Sequence, residues 1–157
     1  MKQHSSEGFF LIEVVVAASI IATVLIFLLG AIQDSVDASR TSLERTQASY
    51  LLEEGAEAVK AIRDGGWSTI SALDNATPYA LSWSGSAWSL TTSSPETIDA
   101  FTRTVTFDAV SRDSSDTIVA SGGTLDAGTR KVTITVSWNA AGGSTSVILP
   151  FYIANIR

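Results

Sequence analysis

The chain of 157 residues has no cysteine. That excludes disulfides, thiolate metal sites and cysteine nucleophiles together. It does not place the protein in a reducing compartment, since exported proteins also dispense with disulfides. Histidine is nearly missing too: His4 is the only one. The commonest general base and transition-metal ligand is therefore confined to the extreme N-terminus. Basic residues are scarce, with 10 Lys and Arg against 16 Asp and Glu and a net charge of -6, and nowhere do they form a run. Phosphate binding needs clustered Lys and Arg, so the composition argues against nucleic acid as a partner.

What the sequence does contain is a long apolar run. Phe9 to Ile32 reads FFLIEVVVAASIIATVLIFLLGAI, 24 residues with one charge, Glu13, and two small hydroxyls, Ser19 and Thr23. As a helix it spans roughly 36 Å, against about 30 Å for a bilayer core. It is apolar all round, unlike an amphipathic surface helix. A secretory signal peptide fits poorly, because the leader MKQHSSEG is not markedly basic and the apolar run is too long. A plain single-pass anchor accounts for everything except Glu13. A carboxylate inside a spanning helix costs about 2.5–3.5 kcal/mol on insertion scales, and an anchor gains nothing from it. The natural partner for such a charge is a cation on another copy of the chain, such as a free N-terminal amine.

The string Gly8-Phe9-Phe10-Leu11-Ile12-Glu13-Val14 resembles the cleavage and methylation signal of type IV prepilins and type II secretion pseudopilins. The resemblance implies that a prepilin peptidase cuts between Gly8 and Phe9, that the new N-terminal Phe9 is N-methylated, and that Glu13 sets subunit registration. Removal of residues 1–8 leaves a chain with neither histidine nor cysteine. One position departs from the family pattern: Glu7 precedes Gly8 where many relatives carry Lys or Arg. That leaves Lys2 and His4 to hold the cytoplasmic side.

Polar residues enter at Gln33 with no intervening proline, so the spacing predicts one helix from about Phe9 to Asp64, about 80 Å long. Its first half, 9–32, is apolar; its second, 33–64, is amphipathic. Val36, Leu43 and Tyr50 recur every seven residues, and Leu52, Ala56, Val59 and Ile62 follow helical spacing. Both sets are expected to form one stripe packed on a core. Asp37 with Arg40, Arg40 with Glu44, and Glu57 with Lys60 lie three or four apart and support the helix by tenths of a kcal/mol each. Glu53, Glu54 and Glu57 are expected on a solvated or intersubunit face. Gly65-Gly66 ends the helix, with Lys60 and Arg63 suited to its negative end. Gly30 has two readings: a tolerated membrane glycine, or a weak point at which the helix bends.

After Gly66 the composition turns to Ser, Thr, Gly and aromatics, and Trp67 is expected to pack back on the helix end. Tyr79–Trp83 and Ala87–Thr91 alternate around Ser84-Gly85 and predict a hairpin. Phe101–Phe107, Lys131–Trp138 and Ser146–Ile153 predict long strands, with Pro150 marking the last as an edge or bulge. The fold class is α+β, a long N-terminal helix followed by an antiparallel sheet over 65–157 that packs on the helix. The stretch from Glu54 to Trp67, with Phe101-Thr102-Arg103, Gly122-Gly123 and Val132–Trp138, is similar to PilV-like minor pilins.

Other candidates are weaker. Asp113, Asp116 and Asp126 could offer oxygens to calcium, but their spacing matches no EF-hand and aspartate is common in turns. Asn75-Ala76-Thr77 is a glycosylation sequon in a loop. Trp83 and Trp88 flank the hairpin turn, where packing outweighs ligand binding as an explanation. Ser–Lys chemistry through Lys60 or Lys131 lacks any surrounding motif. No enzyme activity, cofactor or metal is expected. The resemblance implies a structural filament subunit, held first in the cytoplasmic membrane with its β-rich head outside and then polymerised into an extracellular or envelope-spanning filament. Its implied partners are other pilin subunits, the prepilin peptidase, the assembly platform and the membrane. A secretion or DNA-uptake pseudopilin and a non-polymerising anchored binding domain are the alternatives.

Overall fold

A computed structural model describes residues 7–92, 95–140 and 142–156, with side chains from Phe10 onward. Helix α1 (Glu7–Gly65) is followed by α2 (Trp67–Ser71) and seven strands, β1 (Ala80–Trp83), β2 (Trp88–Thr91), β3 (Glu96–Ile98), β4 (Phe101–Arg112), β5 (Ile118–Val119), β6 (Thr124–Ala140) and β7 (Gly143–Ala154). The chain divides into two compact units, one ending at Leu43 and the other running from Glu44 to Arg157. The boundary falls inside the amphipathic stretch of α1.

In the first unit the residues from Phe10 to Ala38 are all exposed, and α1 is the one helix among the described residues long and apolar enough to cross a membrane. Its two hydroxyls do not break the apolar character. Ser19 Oγ donates to Val15 O at 2.7 Å and Thr23 Oγ1 to Ser19 O at 2.8 Å. Each donor is thus satisfied by the backbone one turn earlier.

The second unit is built on an antiparallel sheet of order β3-β4-β6-β7, with β5 pairing the far end of β4. Strand alternation gives the sheet an inner apolar face. Phe101, Val105 and Phe107 on β4 stand beside Val132, Ile134, Val136 and Trp138 on β6, all buried. The helical residues Ala48, Leu52, Ala56, Ala58, Val59 and Ile62 join the same core. Each large buried side chain contributes about 1.5–3 kcal/mol. Gly55 allows the approach: a Cβ there would lie 3.2 Å from Ile134 Cδ1 and 3.3 Å from the Arg103 side chain. The outer edge of β4 is covered in succession by β3, by Tyr79 paired through two backbone bonds of 2.8 Å to Val105, and by β5. The opposite edge is β7, and Pro150 lies on it, where a missing N–H is tolerated.

The expected single apolar stripe divides in two. Leu52, Ala56, Val59 and Ile62 are buried, but Val36, Leu43 and Tyr50 are 56%, 58% and 67% exposed. At about 100° per residue, Leu43 and Tyr50 lie roughly 160–200° around the helix from Leu52. Within the second unit, Tyr50 thus sits on a face of the helix that the sheet leaves uncovered. Glu53, Glu54 and Glu57 are exposed as expected, and Glu54 in addition reaches Arg103 with its carboxylate.

Candidate functional site

The residues proposed for processing open α1. The backbone of Gly8 and Phe9 belongs to the first turn of the helix, while the Phe9 side chain, with Lys2 and His4, lies outside the described residues. Glu13 follows one turn later. Its carboxylate is exposed and flanked by exposed Phe10, Leu11, Ile12, Val14, Val15 and Val16. Among the described residues no cation lies within ion-pair distance of it. In the sequence from Phe10 to Asp34 only Glu13 and Asp34 are titratable, and Asp34 lies beyond the apolar run. Gly30 sits in unbroken α-helix, and a Cβ there would meet nothing within 4 Å. No contact among the described residues requires glycine at that position.

The head carries two arginine clusters that the sequence reading did not single out. Arg103 is fully buried on the inner face of β4. Its Nε and Nη2 donate to Glu96 Oε2 and Oε1 at 2.8 and 2.7 Å, and its Nη1 donates to Leu51 O at 2.8 Å and Glu54 Oε2 at 3.3 Å. The guanidinium therefore joins β3, β4 and α1 through bonds of the charge-assisted, bidentate kind. The available signal was an Arg in the alternating run Phe101–Phe107, at an inward position. A charge there demands a carboxylate within reach.

Arg112, Asp116 and Asp126 form the second cluster. Arg112 Nε is 2.7 Å from Asp126 Oδ2 and 3.6 Å from Asp116 Oδ1. The register shift between Ala109 and Val110 brings Asp126 to this end of β4. The hydrogen bond from Arg112, followed by those from Thr129 and the Gly128 N–H, pulls the Asp126 carboxyl down to about 2. In return Asp126 raises the Arg112 guanidinium. Asp113 instead folds its own turn, its Oδ1 accepting from Ser115 N at 2.8 Å and Thr117 N at 3.0 Å. Asp116 and Asp126 thus meet at Arg112 while Asp113 is spent on its own turn, and no group of acidic or histidine ligands suited to a metal occurs among the described residues.

The remaining candidates also have local roles. Asn75 Oδ1 accepts from Arg130 Nη1 at 2.9 Å, and Arg130 Nη2 also donates to Leu73 O. Lys60 is paired with Glu57 at 2.7 Å. Lys131 lies in β6 opposite Asp108 on one side and Tyr152 on the other. Trp67 Nε1 donates to Ala127 O at 3.3 Å and Trp138 Nε1 to Glu44 Oε2 at 3.0 Å. Trp83 and Trp88 are cross-strand partners whose ring centroids lie 5.2 Å apart.

No family model, curated protein or solved structure matches the chain.

Proposed function

We propose that the chain is a structural subunit, of the minor-pilin kind, of a type IV pilus-like filament with a pilin fold. The observation that carries this reading is Glu13: a carboxylate with no cation at ion-pair distance among the described residues, in an apolar segment from Phe10 to Ile32 that is exposed throughout. In a membrane it remains a cost of about 2.5–3.5 kcal/mol. In a bundle of identical helices, the N-terminal amine of a neighbouring copy removes that cost. The apolar residues between Phe10 and Ile32 then exchange lipid for protein, so extraction from the membrane strands little apolar surface in water.

On this reading a prepilin peptidase cuts after Gly8, Phe9 is N-methylated, and the β-rich head stays outside the cytoplasmic membrane until an assembly platform draws the subunit into the filament. The sheet and Arg103 clamp give the head a rigid body to carry on its helix. A pseudopilin of a secretion or DNA-uptake machine shares every one of these features and differs in client. Intact-mass and N-terminal sequencing of the membrane-extracted protein tests the reading. The expected mature chain begins at N-methyl-Phe9. A chain that retains Met1 in cells with an active prepilin peptidase rejects the proposal in favour of a non-polymerising anchor.

A further inference from the structure

One surface of the head has no part in that reading. The β1–β2 hairpin presents Leu81, Trp83, Trp88 and Leu90 on a single face, as strand alternation and the pairing of Trp83 with Trp88 and Leu81 with Leu90 require. Leu81 is buried in the core, but the hairpin's outer end lines a groove of about 650 Å³. The opposite wall consists of small residues at the end of α1 and in α2, including Ala61, Gly65 and Thr69. They do not fill the space: a Cβ on Gly65 would meet nothing within 4 Å. Trp83 is consequently 53% exposed. Trp67 and Trp138 both donate their indole N–H within the fold, whereas among the described residues neither Trp83 nor Trp88 does.

We infer that this groove binds an uncharged saccharide. Its lining contains no charged side chain, which disfavours an anionic or cationic ligand that would lose water without compensation. Its volume lies within the roughly 300–1,000 Å³ usual for small-molecule sites. Two indoles supply flat apolar faces for the C–H face of a pyranose, and the hydroxyls of Thr69 and Ser86 supply donors and acceptors for ring hydroxyls. The free indole N–H groups add two donors. The tilted contact of Trp83 and Trp88 stabilises the hairpin, yet it leaves the open slot and the unused donors unexplained. Ligand binding accounts for both.

The test uses the full chain in dodecylphosphocholine, a detergent without a sugar headgroup, titrated with maltotriose, cellotriose and fully N-acetylated chitotriose. Tryptophan fluorescence and saturation-transfer NMR report binding, and sialyllactose serves as the charged control. The expected result is a saturable response to at least one neutral trisaccharide at a Kd below about 10 mM. Trp83→Ala and the groove-filling Ala61→Leu, which keeps every indole, should each weaken it about tenfold or more, with thermal midpoints within a few degrees of the parent. A lack of saturable response overturns the inference. So does a response unaltered by both variants, or an equal response to the charged control. A concentration-dependent blue shift without sugar, abolished by Ala61→Leu, also overturns it by assigning the groove to a second copy of the chain.

Discussion

Arg103 and Glu96 face each other across adjacent strands, and the arginine donates two parallel hydrogen bonds of 2.8 and 2.7 Å to the carboxylate, its side chain wholly removed from solvent. The pair lies in register, Glu96 opposite Arg103, at the end of β4 where β3 is only three residues long. So short a strand derives much of its hold from this contact. The same guanidinium reaches the Leu51 carbonyl, so one side chain also closes the sheet onto α1.

Removing one partner leaves a buried charge uncompensated. Glu96→Ala should therefore destabilise the head by about 3–5 kcal/mol, read by chemical denaturation of the full chain. The double change Arg103→Met with Glu96→Leu should recover most of that loss, because it removes the charge as well as its partner. A Glu96→Ala loss below about 1 kcal/mol would show that Glu54 and the Leu51 carbonyl suffice to hold the arginine.

Gly123 permits a close backbone approach. It has φ of 76°, and an added Cβ would stand 2.4 Å from the Arg112 carbonyl oxygen. Both facts exclude a side chain, and the obstructing atoms are main chain that cannot swing aside. Gly123→Ala should cost roughly 1–3 kcal/mol. Gly30→Ala, whose Cβ enters open space, should leave the thermal midpoint of the head unchanged.

Asp126 predicts an acid limb in the stability profile. Its folded value of about 2 lies below the ordinary 3.8. The ionised form is therefore the one favoured by folding. Its stabilisation is complete above about pH 4 and is lost as pH falls through about 2. Asp126→Asn should lower the thermal midpoint at neutral pH and flatten its fall between pH 4 and 2. An unchanged acid limb in that variant would assign the loss to other carboxylates.

Glu13 separates insertion from assembly. Glu13→Leu makes the helix more apolar, so membrane insertion should be retained or improved. Incorporation into filaments, scored by immunoblot of sheared surface fractions, should fall about tenfold or more, the loss of one ion pair worth about 1.4 kcal/mol or greater. Normal incorporation of the leucine variant would remove the charge-pairing argument.

The elements with a strong period were readable in the sequence. Helix α1, the β1–β2 hairpin, and the centres of β4, β6 and β7 follow from apolar spacing and from Gly or Pro at their ends. What escaped was shorter or depended on tertiary contacts. Strands β3 and β5 have three and two residues, too few to show alternation, and they exist because the edge of β4 recruits them. The true end of β4 at Arg112 and the start of β6 at Thr124 are fixed by the bulge and by Arg112 meeting Asp126. Tyr50 and Leu43 looked like core residues because spacing reports that apolar residues share a face, not which face the sheet will cover. Arg103 was visible as an inward arginine, but its carboxylates come from a three-residue strand and from a glutamate that spacing assigned to solvent.

The hydroxyls of Ser19 and Thr23 turn inward onto their own helix, and this has a geometric consequence. With both donors spent on the backbone, the cylinder from Phe10 to Ile32 displays almost no directional chemistry along its axis. Two such cylinders laid side by side can slide past one another with little preference for any offset, because van der Waals contact repeats with every turn. Glu13 is the single tooth on an otherwise smooth rack.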